Sequence, residues 1–217
     1  MNLNVVRLVT GPFQENAYII WQENSNKSLF IDPGSEPEKL VDAVEEHGFE
    51  PQAIINTHAH LDHIGAVRDL QSTYSIPFYL HSNEKVVLNE YARYSSFFGL
   101  GPKPAPEVDH WFEEGQLIIG EFKIELFSAP GHTPGGTCLI IHNHVFTGDT
   151  LFAGSIGRTD LPGGNGETLN NSLIRIMQGI PSDFVLHPGH GNDTTLKVEM
   201  EQNPFLLPLL NRVNSLK

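Results

Sequence analysis

Short apolar runs broken by Gly, Pro, Asn and Asp dominate the chain, a pattern of strands joined by tight turns. Residues 3–9 (LNVVRLV), 15–21 (ENAYIIW) and 28–31 (SLFI) read as the first three strands. Gly11-Pro12 turns the chain between the first two, and Asp32-Pro33-Gly34 closes the hairpin. The spacing then predicts a helix over 37–46, with Ser35 or Glu36 near its cap and Gly48 after its end. A strand over 53–56, a helix over 64–72, a strand over 77–80 and a helix over 83–94 follow, and the Gly/Pro-rich piece 99–106 reads as a connector rather than a flap. The second half opens with strands at 108–112, 116–119, 122–128, 137–141 and 144–146, the last two joined by a turn at Asn143. A helix over 168–178, a strand over 183–186 and helices over 194–201 and 204–216 complete the chain. Both halves run strands, then helix, strand and a histidine-bearing loop. That order predicts two packed sheets with helices outside, an α/β layered architecture, without any repeat in the sequence itself.

At 217 residues the expectation is one domain spanning 1–217, and no low-complexity tract interrupts it. The formal charge of −13 argues against a nucleic-acid groove or an anionic membrane surface, both of which require clustered Lys and Arg. A single cysteine, Cys138, precludes an internal disulfide, and its place in an apolar run marks it as a core residue. The opening stretch MNLNVVRLVTGPF has neither a basic n-region nor a long apolar segment, and nothing approaches the roughly 18 apolar residues of a membrane span. The expectation is no signal peptide and a cytoplasmic location.

The chemistry concentrates in Thr57-His58-Ala59-His60-Leu61-Asp62-His63, between the strand at 53–56 and the next helix. His58 and His60 alternate by two, so in extended backbone they share a side, and Asp62 and His63 belong to the turn that opens the helix. Imidazole and carboxylate are ligands for zinc, iron and similar ions. A polar loop of solvated histidines is the alternative, but four ligand-type residues at this density argue for a metal. Three later loops supply more candidates: His132 between glycines in PGHTPGG, Asp149 at a strand end in TGDT, and His190 in GHG. Each alone is a weak signal, since a strand-end Asp or a His between glycines is more often a turn residue. With the first loop they make seven donors, enough for two metals if one carboxylate bridges.

THAHLDH, GHTPGG, TGDTLF and HPGHG together resemble the metallo-β-lactamase-fold hydrolases, over nearly the whole chain. The resemblance implies an αββα sandwich of two mixed sheets flanked by helices. It implies that His58, His60 and His132 hold one metal, that Asp62, His63 and His190 hold a second, and that Asp149 bridges them. Two divalent ions follow, zinc first, with iron or manganese also suited to His/Asp donors. The family pattern puts the ligand between glycines and so favours His190 over His187. His81, His142 and His144 match no motif and are assigned to hairpin surface or to support behind the ligands.

The run Phe152 to Asp160 resembles the substrate loop of glyoxalase II, in which a basic residue meets a glutathione carboxylate. Arg158 would take that role, a guanidinium suiting a carboxylate by bidentate hydrogen bonding, the alternative being an ion pair with Asp160. Glyoxalase II has a tyrosine where Asp160 stands, and a C-terminal helical domain longer than the 27 residues that follow His190. The short, bacterial glyoxalase II-like branch is the match. It implies hydrolysis of S-D-lactoylglutathione or a related glutathione thioester by a metal-bridging hydroxide, oriented by Asp62, with a small-molecule partner and no nucleic acid or membrane. An iron-dependent glutathione persulfide dioxygenase, using His58, His132 and Asp149, is the nearest rival and shares Gly157-Arg158-Thr159-Asp160. A non-catalytic metal-binding protein on the same fold is the third.

Overall fold

The computed structural model describes residues 2–99, 101 and 103–210. Its elements run β1 (Leu3–Thr10), β2 (Glu15–Gln22), β3 (Lys27–Ile31), α1 (Pro37–His47), β4 (Glu50–Ile55), α2 (Leu61–Ile64), α3 (Val67–Tyr74), β5 (Phe78–His81), α4 (Lys85–Leu88) and α5 (Tyr91–Phe97). They continue with β6 (His110–Phe112), β7 (Gly115–Ile119), β8 (Phe122–Ser128), β9 (Thr137–Ile141), β10 (His144–Gly148), β11 (Leu151–Phe152), β12 (Ser155–Ile156), α6 (Gly166–Gly179), β13 (Val185–Pro188), β14 (Thr194–Thr195) and α7 (Leu196–Gln202).

Two six-stranded sheets result, one in the order β1-β2-β3-β4-β5-β6 and the other β14-β13-β10-β9-β8-β7. In the first, β1 to β3 are antiparallel and β3 to β6 parallel. In the second, β7 to β10 are antiparallel and β13 joins β10 in parallel. Both sheets are mixed, as expected. Alternation along each strand sorts its side chains between two cores. Ile20, Leu29, Ile31 and Ile55 meet Phe122, Ile124, Leu139 and Phe146 between the sheets. The neighbours of the first group, Ile19, Phe30 and Ile54, face the opposite way onto Leu40, Val44, Val67 and Leu70 of α1 and α3. On the far side Cys138, Ile140, Val145 and Leu186 pack against Leu169, Leu173 and Ile176 of α6. Layers of helix, sheet, sheet and helix therefore account for central strands such as β2 that read as unbroken apolar runs.

Local departures have local causes. The helix expected over 64–72 is two helices, because the Ala66 N–H leaves the helical ladder to donate to Pro33 O at 3.1 Å. The helix expected over 83–94 is a 3₁₀ turn at Ser82–Glu84 followed by α4 and α5, where Glu90 N bonds Val87 O and tightens the turn between them. β11 and β12, a hairpin of two residues a side, were not expected and are too short to show a period. Thr194 and Thr195, expected to open a helix, pair with β13, and the Thr195 side chain caps α7. The last expected helix, 204–216, lies partly outside the described residues, as do Leu100 and Pro102 of the expected connector. Among the described residues no helix is long and apolar enough to cross a membrane.

Cys138 is fully buried, and burial pushes its thiol pKa up to about 12. It is therefore expected to resist iodoacetamide in the folded protein at about pH 8, where an ordinary thiol reacts, and to be labelled once the chain is unfolded.

Candidate metal centre

β4 delivers the chain into the histidine loop at the edge between the two sheets. Asp32, at the end of the neighbouring strand β3, braces it: its carboxylate accepts from Thr57 N at 2.7 Å and from Thr57 Oγ1 at 2.6 Å. The same carboxylate stands 3.1 Å from His63 Nδ1. With Nδ1–H donated to Asp32, His63 turns Nε2 inward. Thr57 has spent its hydroxyl proton on Asp32, so its oxygen can only accept from His58 Nδ1, at 3.1 Å. That fixes the His58 tautomer as well, with Nε2 free. His132, on the β8–β9 loop, donates Nδ1–H to Arg158 O at 2.7 Å and brings Nε2 to 2.9 Å from His60 Nδ1.

The donor atoms of His58, His60 and His132 lie within 4.8 Å of one another, and so do those of Asp62, His63 and His190. Asp149 joins the two groups. One of its oxygens is 3.3 Å from His63 Nε2, and the other is 3.5 Å from His132 Nε2 and 3.6 Å from His190 Nε2. His190 Nε2 is in turn 3.3 Å from Asp62. All seven residues named from the sequence thus meet at one place. Asp32 also satisfies the distance test with His58 and His63, but its oxygens are already taken by Thr57 and His63 Nδ1, which makes it a support. His187 points elsewhere: its Nε2 bonds His144 Nδ1 at 2.8 Å, and Nδ1 faces Asp193 at 3.3 Å. His81 is buried, with Nδ1 accepting from Asn83 N, rather than lying on a hairpin surface.

The electrostatics suit cation binding. Burial, and then the neighbouring imidazoles, hold His58 far below the ordinary imidazole range, and burial with His132 takes His60 down to about 3. Both rings are neutral ligands at pH 7. Burial works against charge on His63, yet Asp149 and Asp32 raise its pKa well above the usual value. Asp149, whose burial alone would favour the neutral acid, is held well below the carboxylate range by His63, His132 and His190. His58 Nε2, His63 Nε2 and Asp149 Oδ1 are buried without a hydrogen-bond partner. An orphaned buried polar atom costs about 1–3 kcal/mol, and a cation among these three would remove that cost. The residues fit a divalent metal.

Four supporting residues escaped the sequence analysis. Asp32 read as a turn residue. Glu84, on an expected helix that carried no motif, is fully buried and accepts from Ala59 N at 2.8 Å and Gly135 N at 2.7 Å, tying the His58/His60 loop to the His132 loop. Asn16 and Tyr18 of β2 hold the His190 loop through Pro188 O, at 2.8 and 2.7 Å, and Asn16 N donates to Gly189 O at 2.7 Å. Glycine is required where the chain meets the centre: a Cβ on Gly189 of this loop would lie 2.4 Å from Asp149 Oδ1, and one on Gly157, just after β12, would lie 1.8 Å from Asp149 O.

Above the donors opens a cavity of about 450 Å³, with His60, Asp62, His132, Asp149 and His190 at its floor and Arg158 in its wall. Arg158 is held bidentately by Asp160, both contacts at 2.7 Å. Residues 10–190 match the model of the Metallo-beta-lactamase superfamily. The chain belongs to this superfamily. The membership fits the layered fold and a centre built for divalent metal. Among its relatives is the probable metallo-hydrolase YqgX of Bacillus subtilis, 41% identical over 92% of this chain and 96% of that protein. Another is the hydroxyacylglutathione hydrolase GloC of Haemophilus influenzae, 36% identical over 95% of this chain and 98% of that one. Among solved structures, TTHA1623 in a di-iron-bound form superposes with a TM-score of 0.84 at 38% identity, covering 93% of this chain and all of that one (100%).

Asp32→Asn removes the charge that holds the His63 Nδ1 proton and is expected to weaken metal binding roughly 10–100-fold, measured by titrating metal-stripped protein. Glu84→Ala orphans two buried N–H groups and is expected to cost about 1–3 kcal/mol for each in denaturant unfolding, with Glu84→Gln losing less because its amide oxygen still accepts.

Proposed function

We propose that this protein is a metal-dependent thioester hydrolase of glyoxalase II type, with residues 1–217 acting as one catalytic domain. In it His58, His60 and His132 hold one divalent ion, Asp62, His63 and His190 hold a second, and Asp149 lies between them. The observation that carries this assignment is Asp149 itself, a buried carboxylate within 3.6 Å of donors from both groups at the floor of an apolar cavity. The GloC relative supports a glutathione thioester such as S-D-lactoylglutathione as substrate. Zinc is the first choice of metal, and the di-iron form of TTHA1623 makes iron a second.

Bound divalent metal polarises a carbonyl oxygen and lowers the pKa of water from about 15.7 towards about 7. The chain supplies the rest. Asp62, at the cavity floor beside His190, accepts a hydrogen bond from the attacking water and aims it at the carbonyl carbon. A C–O bond forms there as the C–S bond breaks, the products being a carboxylate, a thiol and a proton released to solvent. A thiol with a pKa of about 8.5 leaves as thiolate without a general acid, in keeping with a floor whose remaining polar side chains are the proposed ligands. Arg158 contacts a carboxylate of the substrate, in competition with Asp160. A large polyanion is a poor partner for a chain of net charge −13.

Protein carrying two metals per chain is expected to hydrolyse S-D-lactoylglutathione. His132→Ala and Asp149→Asn should each lose metal and more activity than the roughly 10–100-fold typical of removing a residue behind a ligand. One iron per chain with O₂ uptake on glutathione persulfide, and no hydrolysis, would transfer the assignment to a dioxygenase held by His58, His132 and Asp149. Full metal loading with no turnover of any thioester or persulfide would leave a binding protein.

A further inference from the structure

The cavity over the proposed metal centre is walled mainly by carbon. Tyr91 and Tyr94 of α5, and Phe98 just after it, line it together with Phe152 and Leu161. The apolar surface continues outward to the rim, where Phe13 from the β1–β2 turn packs edge-on against Phe98, ring centroids 5.3 Å apart. These two rings remain 40% and 49% exposed. Aromatic surface left open at the mouth of a cavity is covered when an apolar ligand runs from floor to rim. Polar recognition is sparse by contrast. Above the floor, the charged residue in the described lining is Arg158, and its Nε and Nη2 already donate to Asp160. A lactoyl group, with three carbons and a hydroxyl, has little apolar surface to set against such a wall, whose polar atoms are the Tyr91 and Tyr94 phenol oxygens.

We infer that the acyl half of the substrate is an extended apolar chain or an aryl group lying along the Tyr94–Phe98–Phe13 wall, an inference that rests on the thioester hydrolysis proposed above. The wall reads the acyl chain through area, so each methylene that reaches it adds transition-state binding and raises kcat/KM.

The test holds the leaving thiol constant. Metal-loaded protein is assayed on N-acetylcysteamine thioesters from acetyl through butanoyl and hexanoyl to octanoyl, with benzoyl and with S-D-lactoylglutathione alongside. The expected result is a kcat/KM that climbs roughly fourfold per methylene until the wall is covered. Phe98→Ser and Phe13→Ser should each flatten that climb, with the thermal unfolding midpoint little changed because both rings are partly exposed. A flat or falling series, with S-D-lactoylglutathione as the better substrate, overturns the inference and leaves thioester hydrolysis intact. Hydrolysis of none of these compounds overturns both.

Discussion

An imidazole has two nitrogens, and this fold uses one of them so that the other is left over. His63 gives its Nδ1 proton to Asp32, His58 gives its own to Thr57, and His132 gives its own to the Arg158 carbonyl. All three rings are thereby held in one orientation before any ion arrives, and His58 and His132 in one tautomer as well. Burial then makes charge on His58 and His60 expensive, and the lone pairs survive at neutral pH. Metal affinity here depends on pre-payment: Asp32 adopts a left-handed φ of 49° to reach both Thr57 and His63, a conformation that aspartate tolerates better than most residues.

The donors come from both sheets, so the sheets must be tied to each other close to the centre. β9 begins with Thr137 N donating to Thr57 O at 3.0 Å, which couples the second sheet to the histidine loop of the first. Glu84 makes the same connection from a 3₁₀ turn. Asn16 and Tyr18 reach from β2 to the loop that follows β13. These are hydrogen bonds between segments far apart in sequence, within a low-dielectric interior that makes each satisfied pair strong and each broken one costly. The apolar cores hold the layers together, and these few bonds set their register at the site.

How much of this was legible in the chain follows from the range of each interaction. The layered fold and the seven donors were visible because strand alternation and ligand spacing are local: His58 and His60 two apart, His132 and His190 between glycines. Asp32 and Glu84 were invisible because a carboxylate's role is set by whatever faces it, Thr57 and His63 in one case and Ala59 and Gly135 in the other. The break between α2 and α3 depends on the carbonyl of Pro33, about thirty residues upstream of Ala66, and no period within 64–72 encodes it. Arg158 shows a different limit. Its neighbour Asp160 was visible as a potential partner, but only geometry reveals that it engages Nε and Nη2 of the guanidinium together.

Floor and wall are built from different kinds of constraint. At the floor, Gly34, Gly157 and Gly189 touch neighbouring chain so closely that an added methyl group would fall 1.5, 1.8 and 2.4 Å from an oxygen. At the rim, Phe13 and Phe98 are free of such restraint. Random change to the chain is therefore filtered unequally: a glycine lost at the floor abolishes the centre, while an aromatic exchanged at the rim leaves it whole. A lineage built on this scaffold can drift in what it accepts without risking how it reacts.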